Sequence, residues 1–150
     1  MKVEKFLERG IERKVWRITE TGVKVKIRVK YWVAKGEKLE VDYRVIVAAP
    51  EVEVEMLAAG VVEGEKELNM SVEFLRGARG SFGVVKDEVL IVGRGRNISR
   101  PIILSAEKEA TGRHGTTVGR VDERAVKYLC SRGIKKKRAK EILIRARLGV

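Results

Sequence analysis

Apolar and polar residues alternate along most of the first hundred positions of the chain. From Val23 to Val33 every second residue is apolar, and the same period returns from Leu39 to Val47. A period of two places successive side chains on opposite faces of a strand, so these segments predict strands with one buried face. Further apolar segments follow at 52–58, 68–74, 89–92 and 102–104.

Glycine or proline separates these segments, which recur every 10 to 15 residues. This spacing is typical of an all-β sandwich, a barrel or a β-solenoid, and the pattern alone does not choose among the three. The absence of a helical segment between the strands argues against an alternating α/β fold.

Both ends of the chain have a helical pattern instead. Phe6 and Ile11 predict a short N-terminal helix over the first 13 residues, weakened by Gly10. Near the other end, Asp122 is a suitable N-cap and Gly133 a suitable terminator for one helix. A second helix follows from about residue 136 to 147. We therefore expect a β core over 1–120, including the N-terminal helix, and a C-terminal helical hairpin over 121–150.

The predicted apolar positions of the hairpin include the only cysteine of the chain, and we expect that cysteine to be a buried, inert packing group. The first helix presents Ala125, Val126, Leu129 and Cys130. The second helix presents Ala139, Ile142, Leu143 and Ala146.

The formal net charge of +12 is concentrated near the C-terminus. Residues 113–150 hold 12 basic and 3 acidic residues, a net charge of +9. The run from Lys135 to Arg138 fits a solvated helix start, a nucleic-acid patch or a protein docking surface. Charged residues make up 36% of the chain. With two asparagines and no glutamine, this composition is typical of a thermophile.

The sequence points away from membranes, secretion and enzymatic activity. It contains no run of about 18 apolar residues that could span a bilayer. Its first ten residues are charged where a signal peptide is apolar, so we expect a cytoplasmic protein. A P-loop, HExxH, GxSxG and paired cysteines are all absent from the sequence. We therefore expect no catalytic residues and no enzyme.

The single histidine, His114, lies in a predicted loop between the last strand and the first C-terminal helix. An imidazole there could ligate a metal or carry a proton near neutral pH, or it could simply be solvated. An iron–sulfur cluster needs about four protein ligands, which one cysteine and one histidine do not supply. The chain alone is therefore expected to bind no cofactor.

From Gly112 onward the sequence resembles the C-terminus of the SufB and SufD proteins, scaffold subunits that assemble iron–sulfur clusters. The likeness starts at His114, followed by a small-residue run and an acidic pair, and continues through an aromatic-x-x-x-Arg-Gly-Ile signature. The residues that carry it are Thr116, Thr117, Val118, Gly119, Asp122, Glu123, Tyr128, Arg132, Gly133 and Ile134. The resemblance is firm over about 85–150 and weaker over 38–84.

This resemblance implies a mainly β fold, a right-handed parallel β-helix followed by C-terminal helices. It further implies that the helices bind a SufC-like ABC ATPase, with docking candidates Asp122, Glu123, Tyr128, Arg132, Gly133 and Ile134. In that family two subunits pair through their β-helices, and the nascent cluster forms near the interface. SufD-like members place a histidine there, which His114 matches, so His114 is the candidate for a cluster, sulfur or metal site shared with a partner chain.

The chain also departs from the family. Full-length members are more than twice as long, and Asp87 stands where SufB-like members have a cysteine. We therefore expect an accessory, short SufD-like subunit that works with a SufB-like subunit or as a homodimer, around a transient cluster. The alternative is a nucleic-acid-binding module that uses the basic helical hairpin, although few aromatic residues lie nearby to stack on bases.

Overall fold

The structure, a computed structural model, describes residues 1–148 of the chain as nine strands followed by two helices. Gly149 and Val150, the end of the predicted C-terminal segment, lie outside the described residues. The strands are β1 (Lys2–Leu7), β2 (Gly10–Ile18), β3 (Lys24–Val33), β4 (Lys38–Val47), β5 (Glu53–Val62), β6 (Glu65–Phe74), β7 (Phe82–Ile91), β8 (Arg96–Ser105) and β9 (Thr111–Arg120). The helices are α1 (Glu123–Ser131) and α2 (Lys136–Leu148).

Each strand pairs in parallel with the strand two positions further along the chain. Odd-numbered strands form one 5-stranded sheet, in the order β1-β3-β5-β7-β9. Even-numbered strands form a 4-stranded sheet, in the order β2-β4-β6-β8. The chain alternates between the two sheets, which makes a parallel β-solenoid of about 4 turns. The predicted β-helix is confirmed, and the sandwich and barrel alternatives are excluded.

The alternation seen in the sequence becomes the inner and outer faces of the solenoid. In β4 the inward residues from Leu39 to Val47 are almost completely buried, while the residues between them are exposed or half-buried. Strands pair in register, so Val41 lies beside Leu68 and Val45 beside Val72. Parallel neighbours point to the same face, and the inward side chains of successive turns therefore stack into one continuous core.

The predicted N-terminal helix is wrong, because residues 2–18 form the first turn of the solenoid. β1 pairs with β3 and β2 pairs with β4, and Gly10 takes a φ of 94° where the chain passes between them. Phe6 and Ile11, expected on one helical face, instead point outward from two different strands. Backbone pairing with the next turn outweighs a weak local helical pattern.

The last turn differs from the predictions in two ways. Val89 and Leu90 are buried as expected, but Ile102 and Leu104 are exposed, because they point outward from the end strand β8. The segment around His114, predicted as a loop, instead forms β9 and pairs with β7 over ten positions. Polar and glycine-rich, β9 has no alternating apolar pattern that would reveal a strand.

The helical hairpin is confirmed, with one correction to its packing. The Asp122 carboxylate caps α1 by accepting a hydrogen bond from the Arg124 amide at 2.8 Å, and Gly133 has a φ of 87° just after the helix. Cys130, expected to be buried, is exposed. No helix within the described residues is long and apolar enough to cross a membrane.

The hairpin lies on the outer face of the odd-numbered sheet. Ile144 of α2 is buried against Val61 of β5 and against Leu90 and Val92 at the end of β7. In the predicted stripe, Ile142 and Leu143 are only half-buried and Ala146 is exposed. The side chain that fixes the hairpin on the sheet is therefore Ile144, a residue that the predicted stripe did not include.

A glycine in β5 makes room for Tyr31, one of the two buried tyrosines of the interior. Gly60 lies beside Tyr31 in the sheet, and a Cβ atom on Gly60 would come within 2.4 Å of the Tyr31 ring. The ring therefore lies over the backbone of β5. Its hydroxyl donates a hydrogen bond to Asp87 of β7 at 2.7 Å.

Gly60→Ala tests this packing. The added methyl group must displace the Tyr31 ring and its hydrogen bond, so we expect a loss of about 3 kcal/mol in the free energy of unfolding. Urea denaturation measures the loss. Gly115→Ala in β9 is the control, because nothing lies within 4 Å of a Cβ atom there, and its effect should stay within about 0.5 kcal/mol. Equal effects of the two substitutions would contradict the packing.

Candidate functional site

His114 lies in the middle of β9, at the open end of the solenoid. It pairs in register with the inward-facing Val85, so the imidazole is on the inward side of the sheet. It is nevertheless exposed, because the even-numbered sheet ends at β8 and no described strand follows to cover it. His114 therefore lies on a strand, not in the predicted loop. It is exposed at the C-terminal end of the solenoid, formed by β8 and β9, which we call the C-terminal mouth.

Small and polar side chains surround the histidine on this end strand. Thr116 and Val118 share its face, Thr116 lies beside Asp87 of the preceding turn, and all three β9 side chains are exposed. An imidazole held on a sheet has a defined direction, and its neighbours leave room for a second molecule to approach. This end of the solenoid thus presents one exposed imidazole to solvent.

One turn deeper, the interior holds a charged cluster. Asp87 of β7 and Lys66 of β6 form an ion pair with both side chains at 0% exposure. Tyr31 donates to Asp87 Oδ1, and Ser99 of β8 donates to Asp87 Oδ2 at 2.5 Å. Asn97 Nδ2 donates in turn to Ser99 Oγ at 2.9 Å. A hydrogen-bonded chain therefore runs from the core to the end strand β8.

Burial decides how these groups titrate. Desolvation of the ammonium group lowers the pKa of Lys66, and the negative charge of Asp87 opposes that shift without cancelling it. Burial and the neighbouring Asp87 carboxylate raise the pKa of Tyr31 far above its ordinary value, so Tyr31 stays a hydrogen-bond donor. The Lys66 ammonium also lies 4.2 Å from the centre of the Tyr31 ring, an additional stabilising contact for the cation.

These contacts occupy both oxygens of the Asp87 carboxylate. Its Oδ2 accepts from both Lys66 and Ser99, and its Oδ1 accepts from Tyr31. A metal ion would have to displace an ion pair that lies in the core. Asp87 therefore has a structural role.

The predicted docking residues separate into two groups. Asp122 caps α1, Gly133 ends it, and Ile134 is half-buried with its amide bonded to the Leu129 carbonyl at 3.2 Å. These three shape the hairpin. Glu123, Tyr128 and Arg132 are exposed, and the Arg132 guanidinium lies 5.4 Å from the centre of the Tyr128 ring. The side chains of this second group are accessible to a partner, as are the exposed Asp122 and Gly133.

The groups that could bind a metal do not gather in one place within the described residues. No cluster of three His, Cys, Asp or Glu side chains suits a metal ion in residues 1–148. His114 lies on β9, whereas Cys130 lies on the exposed surface of α1. The described residues therefore form no metal site of three such side chains around His114.

Comparison with known proteins identifies the family. The family model described as SUF system FeS cluster assembly, SufBD core domain, matches residues 11–147. The chain belongs to the SufBD core-domain family. This match covers the solenoid from β2 onward and both helices, so the resemblance seen near His114 extends over most of the chain. No curated protein matches the chain significantly.

Membership of the SufBD family supports a role in iron–sulfur cluster assembly within the SUF system, together with other SUF components.

The Lys66–Asp87 cluster was not predicted from the sequence, although a signal for it exists. Lys66 stands in the same phase as the buried Leu68 and Met70, and Asp87 in the phase of Val85 and Val89. When two consecutive strands each carry a charged residue in the phase of their buried apolar residues, and the charges are opposite, the pattern indicates a buried ion pair.

A double-mutant cycle tests the structural role of the pair. Asp87→Ala and Lys66→Met each leave one charge buried without its partner, so each should cost about 3–5 kcal/mol of unfolding free energy. The double variant should cost much less than the sum, since no unpaired charge remains. Urea denaturation of the four proteins gives the coupling energy. Strictly additive losses would show that the two charges do not depend on one another.

Proposed function

We propose that this chain is a non-catalytic accessory subunit of cytoplasmic iron–sulfur cluster assembly. In this proposal its C-terminal hairpin binds a SufC-like ABC ATPase, and its C-terminal mouth pairs with a SufB-like subunit or with a second copy. The cluster is cargo that forms transiently at that interface. The observation that carries the proposal is the SufBD core-domain match, which includes both the hairpin and the strand that presents His114.

The hairpin has the features of a docking module. Ile144 fixes α2 on the sheet, and Val126 and Ala139 are buried within the hairpin. The remaining surface is free for a partner in this structure, with Tyr128 58% exposed and backed by Arg132. Tyrosine and arginine are enriched among the residues that dominate binding energy at protein interfaces.

The C-terminal mouth has the features of a subunit interface. β8 and β9 each pair with only one neighbouring strand among the described residues, which leaves their outer edges open. Ile98 and Leu104 of β8 and Val118 of β9 are exposed beside these edges. Open edges with apolar neighbours favour strand pairing with another chain. Such pairing would bring His114 close to residues of the partner.

The role of His114 in this proposal is to supply one ligand or one proton to cargo held between two chains. Within residues 1–148 no group of three ligand side chains gathers around it, and the Asp87 carboxylate is held by Lys66, Ser99 and Tyr31. The partner would supply the thiolates that cluster chemistry requires. This division is why we propose an accessory role and not cluster assembly by one chain.

Tyr128→Ala tests ATPase docking without disturbing the core. Because Tyr128 is exposed, the fold should be unaffected, while affinity for the SufC-like ATPase of the same organism should fall about tenfold or more. Isothermal titration calorimetry measures the affinity at moderate and high salt. Phe6→Ala is the matched control, since Phe6 is equally exposed but lies at the other end of the solenoid.

A hairpin that binds mixed-sequence nucleic acid with a steep salt dependence, and does not bind the ATPase, would overturn the docking proposal in favour of nucleic-acid binding. Equal affinity of the Tyr128→Ala variant and the wild type would show that α1 is not the docking face.

His114→Ala tests the role of the mouth. We expect cluster transfer in a reconstituted SUF system to fall about tenfold, a loss of roughly 1.4 kcal/mol in transition-state stabilisation, because one ligand or proton donor is removed. Thr117→Ala is the control, since Thr117 is exposed on the same strand but points to the outer face. Unchanged transfer with His114→Ala would remove His114 from the site.

A further inference from the structure

The N-terminal end of the solenoid carries a group of exposed apolar side chains that the proposed function does not use. On the first two strands and the residue before them, Met1 is 47%, Phe6 61%, Ile11 64% and Val15 66% exposed. Apolar groups concentrated at one end of a molecule indicate a contact surface. This end lies opposite β9 in the sheet order, so it is separate from the mouth that holds His114.

The edge of β2 is open at this end. Within the described residues β2 pairs only with β4, and it contains no proline that would remove a hydrogen-bond donor. Its register with β4 assigns each side chain to a face. Glu12 and Lys14 lie beside the inward-facing Val41 and Tyr43, whereas Ile11 and Val15 lie beside the outward-facing Glu40 and Arg44.

The sequence of β2 is complementary to itself when it is read in the opposite direction. We propose that β2 pairs antiparallel with β2 of a second copy of this chain, with the two-fold axis at Arg13. Glu12 then lies opposite Lys14 of the second copy on the inner face, and Lys14 lies opposite its Glu12. On the outer face Ile11 lies opposite Val15, and Val15 lies opposite Ile11. One contact thus makes two ion pairs and two apolar pairs.

Other antiparallel registers of β2 with its copy that keep inner-face residues opposite inner-face residues do not form these ion pairs and apolar pairs. An axis at Glu12 places the two Glu12 carboxylates opposite each other, and an axis at Lys14 does the same for the two lysines. An axis at Val15 sets Arg13 against Arg17. The axis at Arg13 has one like-charge contact, between the two Arg13 side chains, and Asp42 lies beside each of them in register on β4.

Glu12 is already held in position for this contact. Its Oε1 accepts from the Tyr43 hydroxyl at 3.3 Å and lies 3.8 Å from Lys5 Nζ. Both contacts use Oε1, so Oε2 remains available to Lys14 of the second copy. The charges that make β2 a poor partner for unrelated strands therefore favour pairing with itself.

Charge exchange tests the contact. Lys14→Glu and Glu12→Lys each convert two ion pairs per dimer into two like-charge pairs, so each should weaken self-association about tenfold or more. The double variant Glu12→Lys/Lys14→Glu should restore association, because the pairs re-form with their signs reversed. Analytical ultracentrifugation over a concentration series measures the association, and circular dichroism verifies that each variant is folded.

Lys26→Glu is the matched control, because it makes the same change in charge on the exposed outer face of β3, away from the edge of β2. A monomeric wild type would overturn the proposal, as would association that the two single exchanges leave unchanged. Folded single variants that lose association without its recovery in the double variant would also overturn it. If the chain associates only through the end that holds His114, both single exchanges leave self-association unchanged. None of these association measurements depends on whether the chain binds the ATPase.

Discussion

Parallel, in-register pairing of each strand with the strand two positions along the chain is the constraint on which the whole structure depends. Because neighbouring residues in a parallel sheet point to the same face, each inward position must suit the inward positions of the turns before and after it. Most turns meet this requirement with stacked aliphatic side chains such as Val45 and Val72. Where a polar side chain enters the stack, the adjacent turns must supply its partners.

The Lys66–Asp87 cluster shows how far that requirement extends. The ion pair joins two sheets, Tyr31 reaches Asp87 from two strands away, and Gly60 leaves the space through which the tyrosine ring passes. Four strands thus depend on one another at one point of the interior. A buried charge without its partner is costly, so the cluster favours one stacking register over a slipped one.

A solenoid has two ends, and each end leaves strand edges unpaired. At the C-terminal end the open edges of β8 and β9 lie beside the exposed His114. At the N-terminal end the edge of β2 has charges and apolar groups that complement a second copy of the same strand. The interior is filled by stacked buried side chains, while the exposed large apolar side chains lie at the two ends and on the hairpin.

The sequence by itself determined the strands whose two faces have different surroundings, and much of the helical hairpin. β3 and β4 are visible from their period of two, and Asp122 and Gly133 mark the limits of α1, because capping is a local interaction. The resemblance near His114 identified the family and the β-helix. By contrast, β1, β2 and β9 are end strands whose inward residues are partly exposed, so they lack the apolar alternation that reveals a strand.

Only the tertiary structure decided which residues meet across turns. It placed His114 on a strand at an open mouth, exposed Cys130, buried Ile144, and paired Lys66 with Asp87. Each of these outcomes depends on contacts between residues distant in the sequence, and local periodicity carries no information about which turn lies next to which. The physical reason is that the burial of a side chain depends on the neighbouring turns of the folded solenoid. The pattern of a segment shows only which of its own residues share a face.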